Sequence, residues 1–197
     1  MKRLVLASNN KKKLGELERI LKPLGFDVVT VAQAGFEPIE VEENGADFDE
    51  NAYIKAKAIC DYTGLPAIAD DSGLCVDFLD GAPGLYSARF GGEGLSDIQR
   101  YELLLEKMSG VPKEKRGAYF ISSICCVFPN GEKITVQGKC NGYIAEGPSG
   151  NGGFGYDPIF LVPDGRCFAD MTAEEKDEVS HRGIALRLFA QEITRKV

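Results

Sequence analysis

The chain has 197 residues, 44% hydrophobic and 27% charged, enough to bury a sizeable core in one large domain or two compact lobes. Its 23 basic against 30 acidic residues give a formal charge of −7, which argues against nonspecific binding to nucleic acid or to acidic membranes. No apolar run approaches the ~20 residues of a bilayer span, and the four apolar residues after Met1-Lys2-Arg3 are too few for a signal peptide.

Lys2 to Ala7 reads as a short apolar strand, and Leu14, Leu17, Ile20 and Leu21 recur at helical spacing before Pro23 and Gly25. Ser8-Asn9-Asn10-Lys11-Lys12-Lys13 therefore occupies a strand-to-helix turn, where free backbone N–H groups and the helix dipole offer an anion site. The same run also reads as an ordinary Ser or Asn cap with solvated lysines. It lacks the Gly-rich pattern of a P-loop. Phe26 to Val31 predicts a second strand. Acidic Glu40, Glu42 and Glu43 precede an Asn44-Gly45 turn, and Asp47-Phe48-Asp49-Glu50 has capping-box spacing. Phe48, Ala52, Ala56, Ile59 and Cys60 form the buried stripe of the next helix, with Asn51 and Lys55 four apart on a neighbouring face.

Leu65 to Ala69 predicts a buried strand that runs into Asp70-Asp71-Ser72-Gly73, with Leu74 to Leu79 as a second strand beyond the turn. Neighbouring side chains on a strand point to opposite faces, so Asp70 and Asp71 cannot both follow the core. The tetrapeptide is either a hydrophilic turn or a pair of carboxylates presented where charge is tolerated. Tyr86 to Gly94 reads as irregular, and Asp97 to Met108 as an amphipathic helix through Ile98, Leu103, Leu104 and Leu105. Ala118 to Phe128 and Lys133 to Ile144 predict a hairpin across Pro129-Asn130-Gly131, so the sheet is mixed.

The Gly-rich run 147–153 leads into Phe154-Gly155-Tyr156-Asp157-Pro158. In an extended segment Phe154 and Tyr156 would share one side, either to stack on a planar base or as core residues of an edge strand. Thr172-Ala173-Glu174-Glu175 is another capping box. On one continuous helix Lys176 and His181 would stand ~140° apart, so we expect a break with Ser180 opening a new helix toward His181 and Arg182. Six cysteines without a C-x-x-C pair and a single His disfavour zinc and suit a reducing cytoplasm. Five of them read as small buried hydrophobes, and Cys167 stays open.

Taken together these blocks resemble the non-canonical purine NTP pyrophosphatase family, also called the inosine triphosphate pyrophosphatase or RdgB-like family. The match runs through Leu4 to Asn10, Phe48 to Ala52, Ala67 to Leu74, Gly81 to Arg89, Gly152 to Phe160 and Glu175 to Arg182. Asn44-Gly45-Ala46-Asp47 departs from the family's usual Thr-Gly-x-Thr, which leaves open whether Glu42, Glu43 or Asp70 joins the metal site. The resemblance implies an α/β fold, a single domain over 1–197 of two lobes around an elongated mixed β-sheet, with flanking helices and a central substrate cleft. It implies a cytoplasmic homodimer that uses Mg²⁺ to hydrolyse ITP, dITP and XTP to the monophosphate and pyrophosphate. Carried over by position, Asp71 is the proton acceptor and, with Glu43, a metal ligand. Ser8, Asn9, Asn10, Lys11, Lys12, Lys13, Lys55, Ser72, Phe154, Gly155, Tyr156, Asp157, Lys176, His181 and Arg182 would bind substrate.

Physical chemistry supports that picture. A triphosphate carries about four negative charges, and on an acidic chain it needs local lysines and a divalent cation. Arg182 and His181 donating to a purine 6-carbonyl would favour hypoxanthine and xanthine over adenine, whose amino group would face a donor. Two other readings stand beside this one: an enzyme that releases single phosphates from NTPs or, like Maf proteins, cleaves pyrophosphate from other NTPs such as dTTP or UTP, and a nucleotide-binding module without turnover.

Overall fold

The computed structural model describes residues 2–196. Six strands and five α-helices follow in the order β1 (Lys2–Leu6), α1 (Lys11–Leu21), β2 (Phe26–Thr30), α2 (Phe48–Thr63), β3 (Ala67–Val76), α3 (Asp97–Lys107), β4 (Gly117–Val127), β5 (Lys133–Ile144), β6 (Phe160–Leu161), α4 (Ala173–Val179) and α5 (His181–Lys196). The strands form one mixed sheet in the order β2-β1-β3-β4-β5-β6. β1 runs parallel to both β2 and β3, with Val5 opposite Val29 and Ala67, and β6 is antiparallel to β5. The α/β class and the mixed sheet are as expected.

The chain divides into two compact units, and the first comprises residues 1–71, 122–138 and 181–197. Its strands alternate in the period of two that puts successive side chains on opposite faces. Leu4, Leu6, Ile68, Ile124 and Cys126 pack with Leu17 and Leu21 of α1 and Leu186, Phe189 and Ile193 of α5. Val5, Ala67, Ala69, Cys125 and Val127 face the other way, onto Ala52, Ala56, Ile59 and Cys60 of α2. Both faces of the parallel strands are thereby covered, as their near-continuous apolar sequences require. In the second unit, residues 72–121 and 139–180, Leu74, Val76, Phe120 and Ile144 gather with Leu104 of α3, with Met108 just beyond it, and with Phe160 and Phe168. The rings of Phe120, Phe160 and Phe168 lie 4.7 to 5.8 Å apart.

Several local expectations are corrected. The predicted turn at Asp70-Asp71-Ser72-Gly73 is absent: β3 is one ten-residue strand straight through it. Turn propensity loses there because each carboxylate finds cations of its own (below), so neither has to reach solvent. Of the stretch expected to be irregular, residues 86–89 belong to a 3-10 segment, Gly84–Arg89, while 90–94 lie outside helix and strand as expected. Of the stripe expected in α3, Leu104 is buried and Leu103 and Leu105 are half-buried, whereas Ile98 is 56% exposed and Arg100 is buried in its place. At α2 the side chain of Asp47 caps the Glu50 amide as expected, whereas Glu50 reaches back to the amide of Ala46 rather than to that of the cap residue. The helix break at Ser180 is present: its backbone is extended between α4 and α5. All six cysteines, Cys167 included, are buried and free.

One close approach was not legible. A Cβ placed on Gly138 of β5 would run into the carbonyl of His181 and the amide of Ala185, so the strand backbone lies directly against the first turn of α5. Gly138→Ala should therefore push α5 away and lower unfolding stability by about 1–3 kcal/mol, read as a reduced urea midpoint.

Candidate active site

In the first unit, the charged centre is built on β3. Asp70 is 1% exposed. Its Oδ1 accepts the Ser122 hydroxyl of β4, and its Oδ2 lies 3.0 Å from Arg182 Nη2 and 2.7 Å from Lys13 Nζ. The other terminal nitrogen of Arg182 pairs with Glu16, which is buried on α1. Burial opposes the charged form of Asp70, yet Arg182 and then Lys13 hold its carboxyl well below the ordinary value. Burial likewise lowers the Lys13 ammonium, against the pull of Asp70. Arg182 is raised although burial opposes it, through Asp70 and Glu16.

Asp71 points the other way, as adjacency on a strand demands. Its Oδ1 lies 2.7 Å from Lys55 Nζ of α2, and the same ammonium lies 3.2 Å from Glu43 Oε2. Lys55 also donates to the carbonyl oxygen of Asp70, at 3.2 Å. Burial raises the Asp71 carboxyl above its usual range, with Lys55 opposing. Burial works against the Lys55 charge as well, but Asp71 and Glu43 outweigh it and raise its pKa. Two consecutive aspartates are thus driven in opposite directions, a division that separates an always-ionised group from one suited to taking a proton.

Around them, the strand-to-helix turn is less open than its sequence suggested. The Asn10 side chain accepts the amides of Lys12 and Lys13, and the Ser8 hydroxyl accepts that of Asn10. An anion at this turn would therefore meet side chains more than the amides of Lys12 and Lys13. Asn9, Lys11 and Lys12 are exposed, Ser8 is half-buried, and the Lys13 side chain keeps only 17% of its surface. Glu42 is exposed and faces none of these cations at ion-pair distance. His181 and Arg182, the first residues of α5, are buried, seated where Gly138 lets the strand come close.

In the second unit, Ser72 is half-buried on β3, and loop 153–157 is organised by Asp157. Its Oδ2 lies 2.6 Å from Lys176 Nζ of α4 and accepts the Phe154 amide at 2.8 Å. The segment is not extended, because Gly153 and Gly155 both take positive φ, so Phe154 and Tyr156 do not share a side. Tyr156 is a core residue, 4% exposed, with its hydroxyl donating to the Ser87 carbonyl. Phe154 is the half-buried aromatic, with Lys176 Nζ 4.8 Å from its ring centre.

Sequence reasoning missed Glu16, Ser122 and Asp97. Glu16 lies three residues after Lys13, inside an amphipathic helix, where an acid is ordinarily solvated. Only the burial of Arg182 beside it reveals its place. The Asp97 carboxylate, from α3, accepts the Gly155 amide at 2.8 Å.

The fold and this charged centre define an α/β protein with one carboxylate fixed among cations and its neighbour held ready for a proton. The sequence model of the Ham1 family matches residues 4–192, and the chain belongs to that family. It is 45% identical over 192 residues to a dITP/XTP pyrophosphatase of Bacillus subtilis, covering 97% of this chain and 96% of that one. It is 49% identical to one from Desulforamulus reducens, covering 94% and 92%. Among solved structures, the Ham1 protein of Staphylococcus aureus superposes with a TM-score of 0.88 at 37% identity over all of both chains. The structure named nucleoside-triphosphatase or dITP/XTP pyrophosphatase from Mycobacterium abscessus gives 0.76 at 46% identity, over 95% of this chain and 97% of that one.

Removing the Asp70 charge would leave Arg182 and Lys13 facing each other in a buried site. Asp70→Asn should lower unfolding stability at pH 7 by about 3–5 kcal/mol. Because the folded carboxyl lies below its unfolded value of about 3.9, its contribution is complete above that pH and declines as pH falls. Urea titrations of both proteins should converge as the pH drops below about 4.

Proposed function

We propose that this chain is a dITP/XTP pyrophosphatase, hydrolysing ITP, dITP and XTP to the nucleoside monophosphate and pyrophosphate. The carrying observation is the Asp71–Lys55–Glu43 arrangement beside the cation-bound Asp70. Near-full-length identity to proteins bearing that name supports the reading.

The donor set suits Mg²⁺. This ion takes one or two carboxylates and completes its shell with phosphate oxygens and water. Asp71 and Glu43 already flank one positive charge, that of Lys55. The side chain of Glu43 is 36% exposed, and among the described residues the hydrogen bond to the Asp71 carboxylate is made at Oδ1. Among the described residues no cluster of three His, Cys, Asp or Glu could hold a metal unaided, so substrate oxygens would have to share the task. Asp70, saturated by Arg182, Lys13 and Ser122, is the poorer ligand. When bound, the ion supplies neutralisation of phosphate charge and a lower pKa for nearby water.

The chain's own residues do the rest. Asp71 accepts the proton of a water that attacks the α-phosphorus as the bond to the α–β bridging oxygen breaks and pyrophosphate leaves, and its raised pKa makes it a stronger base than a surface aspartate. Ser8 to Lys13 and Lys55 take the triphosphate. Phe154, alone of the two aromatics, offers a face to the base, with Gly155, Asp157 and Lys176 fixing that loop. His181 stands next to Arg182 at the start of α5, and these two favour a purine with a 6-carbonyl. Tyr156 supports the loop from the core rather than touching substrate. We assign this activity to a cytoplasmic homodimer, in keeping with six free thiols.

The test incubates the protein with Mg²⁺ and ITP, XTP, ATP, GTP, dTTP and UTP, and identifies the product. Pyrophosphate from ITP and XTP is expected. Orthophosphate, or preference for dTTP or UTP, would favour the Maf-like or triphosphatase readings, and no product a binding module. Asp71→Asn should reduce turnover by about 100-fold or more while leaving nucleotide affinity near wild type. Full activity in that variant would refute the assigned base. Arg182→Ala is a poorer probe of base choice than sequence suggested, because it also strips Asp70 and Glu16 of their shared partner.

A further inference from the structure

We propose that Asp97, in the first turn of α3, is a positioning residue for loop 153–157 and thereby sets the affinity for the nucleoside end of the substrate; the inference rests on the role given to that loop above. Three consecutive residues of the loop each make a hydrogen bond in which a side chain takes part. The Phe154 amide is held by Asp157 Oδ2, the Gly155 amide by Asp97 Oδ2 and the Tyr156 hydroxyl by the Ser87 carbonyl, all at 2.8 Å. The Asp157 tie is internal to the loop, and the Tyr156 tie fixes only the far end of a side chain. Asp97 fastens the loop's backbone to α3 at Gly155, while two residues on the Asp157 carbonyl accepts the Cys167 thiol at 3.2 Å. Gly155 has no side chain to pack and sits at φ +61°, so its peptide orientation depends on what its amide donates to.

The anchor itself is rigid. Ser96 and Gln99 close a complete capping box at the start of α3. One turn on, the buried guanidinium of Arg100 donates to the carbonyls of Phe90, Gly92 and Leu95, pinning the glycine-rich approach to the helix. Leu104 and Met108 root the other end in the core. A carboxylate accepting an amide is a charge-assisted bond, stronger than its neutral counterpart. It fixes the Phe154–Gly155 peptide plane, and with it the direction in which the Phe154 ring leaves the chain.

An acid in the first turn of a helix also has an ordinary explanation, attraction to the helix dipole. The two roles separate by chemistry. The dipole needs the charge, which Asp97→Asn and Asp97→Ala both remove. The loop needs only an acceptor oxygen, which asparagine keeps. Pyrophosphate release from ITP with Mg²⁺ should therefore show KM raised about tenfold in Asp97→Ala, with kcat within about twofold and Asp97→Asn close to wild type. Inhibition by inorganic tripolyphosphate, which carries no base or ribose, should be the same in all three. Equal impairment of the two variants, an unchanged KM in Asp97→Ala, or a parallel loss of tripolyphosphate inhibition would overturn the proposal. Should the wild type release no pyrophosphate, the underlying functional reading fails instead, and calorimetric ITP affinity of the same three proteins then decides the role of Asp97 by the same ranking.

Discussion

Two adjacent carboxylates on one buried strand are the constraint around which the first unit is assembled. A strand sends Asp70 and Asp71 to opposite faces, and both are largely buried. An uncompensated buried charge costs several kcal/mol, so each face must supply cations. Arg182 from α5 and Lys13 from α1 meet Asp70, while Lys55 from α2 meets Asp71. The three helices that pack on this part of the sheet are thus the three that deliver charge to it. Apolar burial brings the helices to the sheet, and ion pairing fixes the angle at which their ends arrive.

The same geometry explains how neighbours identical in chemistry come to differ in acidity. Asp70 receives two cations and a hydroxyl, and is driven down. Asp71 receives one cation that it shares with Glu43, keeps an edge to solvent, and is driven up by burial. One residue becomes structural electrostatics and the other a base. Neither role would survive a one-residue slip of β3, which would exchange the two faces.

The second unit applies a different device to loop 153–157. Positive-φ glycines allow the tight course of the backbone, and side-chain acceptors from Asp157 and Asp97 restrict it again. Lys176 binds Asp157 and lies against Phe154, so one ammonium both satisfies the buried acid and supports the ring.

The sequence alone determined the types of the five α-helices and of most strands, the Asn-Gly hairpin, the Asp47 and Thr172 caps, the break at Ser180 and the divergence of Asp70 from Asp71. All of these follow from spacing along a few residues, where backbone geometry leaves little choice. It misjudged the course of residues 70–73 and the side shared by Phe154 and Tyr156. There, local propensity was overruled by cations delivered from other elements of the chain and by glycine dihedrals that no periodicity encodes. Glu16, Ser122, Gly138 and Asp97 acquired meaning only in three dimensions. Each acts on a partner more than forty positions distant, and the sequence carries no record of which distant charge or backbone a residue will face once the core has closed.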